Sequence, residues 1–154
     1  MCLPLRVLGF LVAFALVHVP SPVAADPGFV ILCNASNPLV VMSSMDLKKA
    51  LSGSTKQWSN GAVVQVGIMP LDSRELAALS SAVGMTPPEL LGRMQQQVFK
   101  GEMRRPVLLR SGAECVGLAR SNAGAICVAA RSARLPPEVK VVSVNVTTLG
   151  APNR

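Results

Sequence analysis

Three places in this chain set serine hydroxyls where a helix should begin: Ser43/Ser44, Ser73 and Ser111. Two of them have a guanidinium alongside, Arg74 after Ser73 and Arg110 before Ser111. A helix start carries unpaired backbone N–H groups and the positive end of the aligned peptide dipoles. Hydroxyl, amide and guanidinium donors together suit a tetrahedral oxyanion. Asn34, Ser36 and Asn37 follow the first apolar strand directly. Open α/β sheets collect ligands in the loops beyond strand carboxyl ends. The expected anion-binding set is therefore Asn34, Ser36, Asn37, Ser73, Arg74 and Ser111. The same serines also read as plain caps whose hydroxyls serve their own helices. Arg74 reads equally well as a surface or ion-paired cation.

Catalysis has little to work with. His18 is the only histidine, and it sits in the N-terminal apolar segment. Without it there is no Ser-His or Cys-His pair and no imidazole base or ligand. No paired-carboxylate motif and no CxxC or Cys/His metal spacing replaces it. The chain is expected to be a non-enzyme with no catalytic residues, no metal and no cofactor.

Residues 1–25 have the plan of a secretory signal peptide. Arg6 is followed by an apolar run from Val7 to Val19, then Pro20 and Pro22, then Val23-Ala24-Ala25 as a small-residue cleavage site. An uncleaved anchor is the other reading, but the run is short of the roughly 20 residues that span a bilayer. A mature chain from Asp26 loses Arg6 from 15 Lys+Arg and keeps all 8 acids, so its formal charge is 14 − 8 = +6. The expected location is periplasmic or secreted, with no stable membrane insertion after cleavage. Three cysteines remain, Cys33, Cys115 and Cys127. They read either as buried small hydrophobes or as one Cys115–Cys127 disulfide closing a helix-to-strand loop, with Cys33 free.

The pattern along the chain is α/β. Phe29–Cys33 is a continuous apolar run, as in a buried strand. Ser43 with Asp46 three residues later opens a short helix that stops at Gly53. Ala62–Ile68 reads as a strand. Asp72-Ser73-Arg74-Glu75 opens a helix through about Ser80, and Thr86-Pro87-Pro88-Glu89 opens one to about Phe99. Ser111 with Glu114 starts a helix through about Arg120. Strands follow at Ala125–Ala130 and Val139–Val144. The order β-α-β-α-α-α-β-β predicts a small mixed sheet flanked by helices.

Trp58, the single tryptophan, lies between a Gly/Ser turn and Asn60-Gly61. A large ring there can close the turn against the sheet, or it can contact a ligand or partner. The wider string is more specific. A buried strand is followed by Asn-Ala-Ser-Asn-Pro, "MDLKKAL", "KQWSNG" and "VVQVGIMP". Later come Arg74, "VFKG" at residues 98–101, a Ser-Gly helix start at Ser111, and "NAGAICVA" at residues 122–129. This ordered set resembles the short bacterial proteins similar to phosphate ABC transporter substrate-binding proteins, in the type II group of periplasmic binding proteins. The resemblance spans nearly all of residues 29–144. It implies a substrate-binding domain at 26–148 resembling one lobe of such a protein, between the signal peptide at 1–25, which agrees with it, and a tail at 149–154. It also implies solute binding, with phosphate or a similar small oxyanion as partner, in transport. In place of the family's Gly-Ser-Gly-Thr type loop stands Met69-Pro70-Leu71-Asp72-Ser73.

Asp72 repels a fully ionised oxyanion and can accept a hydrogen bond from a protonated one. Lys100, Arg104, Arg105 and Arg110 form a basic cluster. Export and the lack of interleaved aromatics argue against nucleic acid. Anionic lipid, an acidic partner or a plain solvated loop are the remaining readings. The other functional expectation is a ligand-free interaction protein of the bacterial envelope that kept the fold.

Overall fold

A computed structural model describes residues 28–132 and 134–145 of the 154-residue chain. The expected signal peptide and tail lie outside the described residues. The elements are β1 (Phe29–Asn34), β2 (Val41–Ser43), α1 (Ser44–Leu51), β3 (Gln65–Ile68), α2 (Arg74–Ala82) and α3 (Pro87–Phe99). They continue with β4 (Val107–Leu108), α4 (Gly112–Ser121), β5 (Ala125–Ala130) and β6 (Val139–Asn145).

The six strands form one sheet in the order β2-β6-β1-β5-β3-β4. β1 is antiparallel to both neighbours, with Phe29 opposite Ala130 and Asn34 opposite Val139. β2 runs parallel to β6, and β3 runs parallel to both β5 and β4. Five strands thus point one way and β1 alone points the other. The fold is the expected mixed α/β sheet flanked by helices.

Both faces of the sheet are covered. Along β1 and β5 the side chains alternate between two cores, as strand pleating requires. Ile31, Cys33, Ile126 and Val128 join a large core with Leu47, Leu76 and Leu90 from α1, α2 and α3. Val30, Leu32, Cys127 and Ala129 join a smaller core with Cys115 and Ala119 of α4. A strand buried on both faces reads as a continuous apolar run, which is why Phe29–Cys33 and Ala125–Ala129 were legible.

Helix starts are set by side chains. Ser43 Oγ accepts from the Asp46 N–H at 3.0 Å and donates to the Asp46 carboxylate at 2.7 Å. The Ser43 hydroxyl holds the Asp46 carboxyl below the usual range. The Glu89 carboxylate accepts from both the amide and the hydroxyl of Thr86, and the amide bond is the main cause of its lowered pKa. At α2 the cap is Ser73, which accepts from the Leu76 N–H at 3.1 Å, rather than Asp72 at the head of the predicted box.

The strand pattern differs from expectation in three places. β2 and β4, of three and two residues, are short edge strands that no periodicity reveals. Residues 62–64 precede β3 rather than belonging to it. They fold back on the Trp58 segment, with Val64 N–H donating to Lys56 O and Trp58 N–H to Ala62 O. Trp58 is buried, and its Nε1 donates to Gly124 O at 3.0 Å. Gly124 must be glycine: a Cβ there would fall 1.8 Å from Val63 O. Cys115 and Cys127 are joined by a disulfide with their Cα atoms 5.9 Å apart. Among the described residues Cys33 is the free thiol; it is buried, and burial pushes its pKa up, with Lys140 acting in the other direction.

Candidate functional site

The strand register divides the predicted anion-binding residues between two opposite edges of the sheet. β1 runs against the other strands, so its carboxyl end lies where their amino ends begin. Asn34 is opposite Val139, the first residue of β6, and Cys33 is opposite Ile126, near the start of β5. Asn34, Ser36 and Asn37 therefore sit at the amino edge of the parallel set. The six residues therefore do not meet on one edge, because β1 runs against the strands beside it.

At that edge the amides serve the fold. Asn34 Nδ2 donates to Ala119 O at 2.8 Å and Arg120 O at 3.0 Å, closing the last turn of α4. Its Oδ1 accepts from the amide and hydroxyl of Ser36. Asn37, 1% exposed, donates to Ala123 O and accepts from the Leu39 N–H. Its backbone oxygen accepts from Lys140 Nζ. These bonds satisfy groups that would be expensive to bury unpaired. They tie the β1 loop to the turn that enters β5.

Ser73, Arg74 and Ser111 lie at the other edge, beyond the carboxyl ends of β3 and β4. Ile68 and Leu108, which close those strands, are directly paired. Arg74, the first residue of α2, places its guanidinium 5.8 Å from the Phe29 ring centroid. Phe29 opens β1 opposite Ala130, the last residue of β5, which fixes Arg74 to this edge. Gly112, the first residue of α4, packs toward Ala129 near the end of β5. α2 belongs to the larger core and α4 to the smaller, so their starts approach the edge from opposite faces.

A third helix start joins them. Ser43 pairs with Asn145 at the carboxyl end of β6, and α1 begins at the next residue. The carboxyl edge of the sheet thus gathers three serine-capped helix starts. The sequence signalled the hydroxyl at Ser43/Ser44, but its place on this edge depends on β2, which was not foreseen.

The hydroxyls are engaged as caps: Ser73 with Leu76 N–H and Ser111 with Glu114 N–H at 3.2 Å. The Glu114 carboxylate accepts from Arg110 N–H at 2.8 Å. The guanidiniums of Arg74 and Arg110 have no carboxylate within ion-pair distance among the described residues. The edge therefore holds two cations with donors to spare beside amide-rich helix starts, and the exposed carboxylate of Asp72. Among the described residues no cluster of three His, Cys, Asp or Glu could hold a metal ion.

A groove of about 210 Å³ lies away from this edge, between the end of α1 and the loop after α3. Ala50, Val63, Val64 and Met103 give it apolar walls, and Lys56 and Arg104 stand among its lining residues. Sequence reasoning found the basic loop but not this groove, which exists only because α1 and the 100–105 loop meet. Concavity and anion chemistry are separate on this surface. An oxyanion needs N–H donors more than apolar walls, and the serine-capped helix starts stand at the carboxyl edge rather than at the groove.

No protein-family model matches the sequence, and no curated protein matches it significantly. Solved structures do. An ABC-type phosphate transport receptor from Vibrio cholerae aligns with a TM-score of 0.52 at 14% identity, over 76% of this chain and 46% of that one. A putative phosphate ABC transporter substrate-binding protein with bound phosphate, from Clostridium perfringens, gives 0.58 at 17% identity, over 76% and 44%. A possible phosphate binding protein from Planctomyces limnophilus gives 0.58 at 13% identity, over 79% and 42%. The chain spans less than half the length of each. It has the fold of part of these phosphate-binding proteins.

Proposed function

We propose that this chain is an exported, non-enzymatic solute-binding-like protein that holds a small phosphate-like oxyanion at the carboxyl edge of its sheet. The observation that carries this reading is the register that brings Ser73, Arg74 and Ser111 to one edge. Arg74 is the principal charge partner, steadied by its contact with Phe29. The starts of α2 and α4 supply backbone N–H donors, and Arg110 adds a second guanidinium. Asn34, Ser36 and Asn37 are structural in this reading. Asp72 stands just before the α2 cap, where it can accept a hydrogen bond from a protonated phosphate. Sulfate has no such proton near neutral pH. Membership of a transporter is the accompanying proposal, since the neighbours' names describe phosphate transport.

The test is a thermal-shift series on the purified protein with phosphate, sulfate and chloride at matched ionic strength. A ligand that binds only the folded state stabilises it by about 2.7 kcal/mol at a hundredfold excess over Kd. The expected result is a saturable, phosphate-selective rise of several degrees, lost in Arg74→Ala. A full shift in that variant would sink the site. The second reading, a ligand-free envelope interaction protein, is favoured by the engagement of the Ser73 and Ser111 hydroxyls as caps. It predicts equal small shifts with every salt and loss of a protein partner when Arg104 and Arg105 are replaced.

A further inference from the structure

The segment from Phe99 to Leu108 has a surface that oxyanion binding does not use. Phe99 is 83% exposed and Leu108 is 77% exposed, two of the most exposed large apolar side chains described. Between them stand the exposed cations Lys100, Arg104 and Arg105, none with a carboxylate in ion-pair range among the described residues. Glu102, the one acid in the segment, is already bound to Lys56 at 3.0 Å. The local charge is therefore positive with no free acid to oppose it.

This segment is held in shape before it meets anything. The Glu102 and Met103 amides fold back onto Gln97 O at 2.9 and 3.3 Å. Gly101 turns the chain at a φ of +70°. Met103 lies so close to Gly53 that a Cβ there would fall 2.8 Å from its own. Gln65 Nε2 pins Arg105 O at 3.0 Å. Little ordering entropy remains to be lost on contact.

We propose that this segment docks the protein reversibly on an anionic lipid bilayer. Lys100, Arg104 and Arg105 face lipid phosphates, while Phe99 and Leu108 enter the boundary between headgroups and acyl chains. Charge complementarity selects this occupant, and the two apolar tips supply the second, salt-insensitive component that stable surface binding needs. The apolar side chains project to 83% and 77% exposure rather than lining a concavity, which suits a bilayer better than a peptide. Leu108 closes β4 at the edge where Ser73 and Ser111 stand, but the proposal uses neither Arg74 nor the helix starts, and its variants are distinct from Arg74→Ala.

Vesicle flotation tests it, with phosphatidylcholine alone and with phosphatidylcholine mixed with phosphatidylglycerol. The protein is expected to float only with the anionic vesicles, less so as salt rises. Each cation near such a surface is worth about 1 kcal/mol, roughly fivefold, so Arg104→Ala with Arg105→Ala should weaken binding roughly thirtyfold. Phe99→Ser should weaken it severalfold without changing the charge. All three positions are exposed, and a melting temperature no lower than the parent's verifies folding. Equal binding to both vesicle types, insensitive to salt and to these variants, would assign it to the apolar run at residues 7–19 and overturn the proposal. Full binding by Phe99→Ser, or displacement by inorganic phosphate at matched ionic strength, would also overturn it. So would Phe99-dependent capture of polyglutamate with no vesicle binding.

Discussion

Trp58 connects three segments through one side chain. Its ring joins the larger core, its amide bonds Ala62 O, and its Nε1 reaches Gly124 O at the entry to β5. Gly124 O also accepts from the Gln65 N–H at 3.0 Å, so loss of the indole donor would not leave that carbonyl unpaired. Trp58→Phe should therefore cost only about 1 kcal/mol, the net worth of one hydrogen bond plus a small packing change. Trp58→Ala should cost about 3–5 kcal/mol, because it empties a buried volume. Urea denaturation followed by circular dichroism measures both. Equal costs would show that the indole hydrogen bond, and not ring volume, holds this corner. A structural role for Trp58 was one of two readings that a lone aromatic beside Asn-Gly allows, and burial in the core with Nε1 on Gly124 O supports it. The fate of Asn34 was not legible. An asparagine after a strand looks the same whether it faces a ligand or closes a helix 85 residues later.

At the scale of elements, capping chemistry was the most readable signal. Ser43, Thr86 and Ser111 each begin the helix their residue types announce, because the cap and its acid lie within one turn of sequence. Strand direction was the least readable. An apolar run reads identically whichever way it points, and β1 is oriented by β5 and β6, about a hundred residues later. That single orientation puts Asn34 and Ser73 at opposite edges of the sheet. β2 and β4 were missed for a related reason: they are defined by a partner's free edge, not by their own pattern. The disulfide connects α4 to β5 over a sequence separation of 12. Closing a loop of about this length removes unfolded-state entropy worth roughly 3 kcal/mol in the chain-entropy model. Cys115→Ala with Cys127→Ala should lower stability by about 2–4 kcal/mol, and dithiothreitol should destabilise the parent but not this variant. A parent indifferent to reductant would mean that packing of α4, including its Asn34 clasp, suffices without the bond.

Over the whole molecule the charge is unbalanced: 15 Lys+Arg against 8 acids, formally +7. The two ion pairs described, Lys49–Asp46 at 3.9 Å and Lys56–Glu102 at 3.0 Å, are both exposed and contribute little. Self-repulsion among the cations therefore outweighs specific pairing, and salt should raise the melting temperature at neutral pH by screening it. Acid should act in the opposite direction. The folded-state pKa values of Asp46 and Glu89 are lowered by their bonds to Ser43 and Thr86. A carboxyl with a depressed folded pKa adds stability above its unfolded pKa and loses it as pH falls through the folded value. That loss should begin near pH 4–5, where unfolded carboxyls start to protonate, and continue below it. Over the same range the net charge climbs as acids are neutralised. Urea midpoints should drop steadily on acidification, with salt restoring part of the loss. Asp46→Asn with Glu89→Gln should be less stable at neutral pH and show a flatter acid limb. An acid limb unchanged in that variant would assign the pH dependence to overall charge alone. Salt that lowered the neutral-pH melting temperature would show that attractive pairs outweigh repulsion. The screening shift sets the baseline above which any phosphate-specific rise must be read.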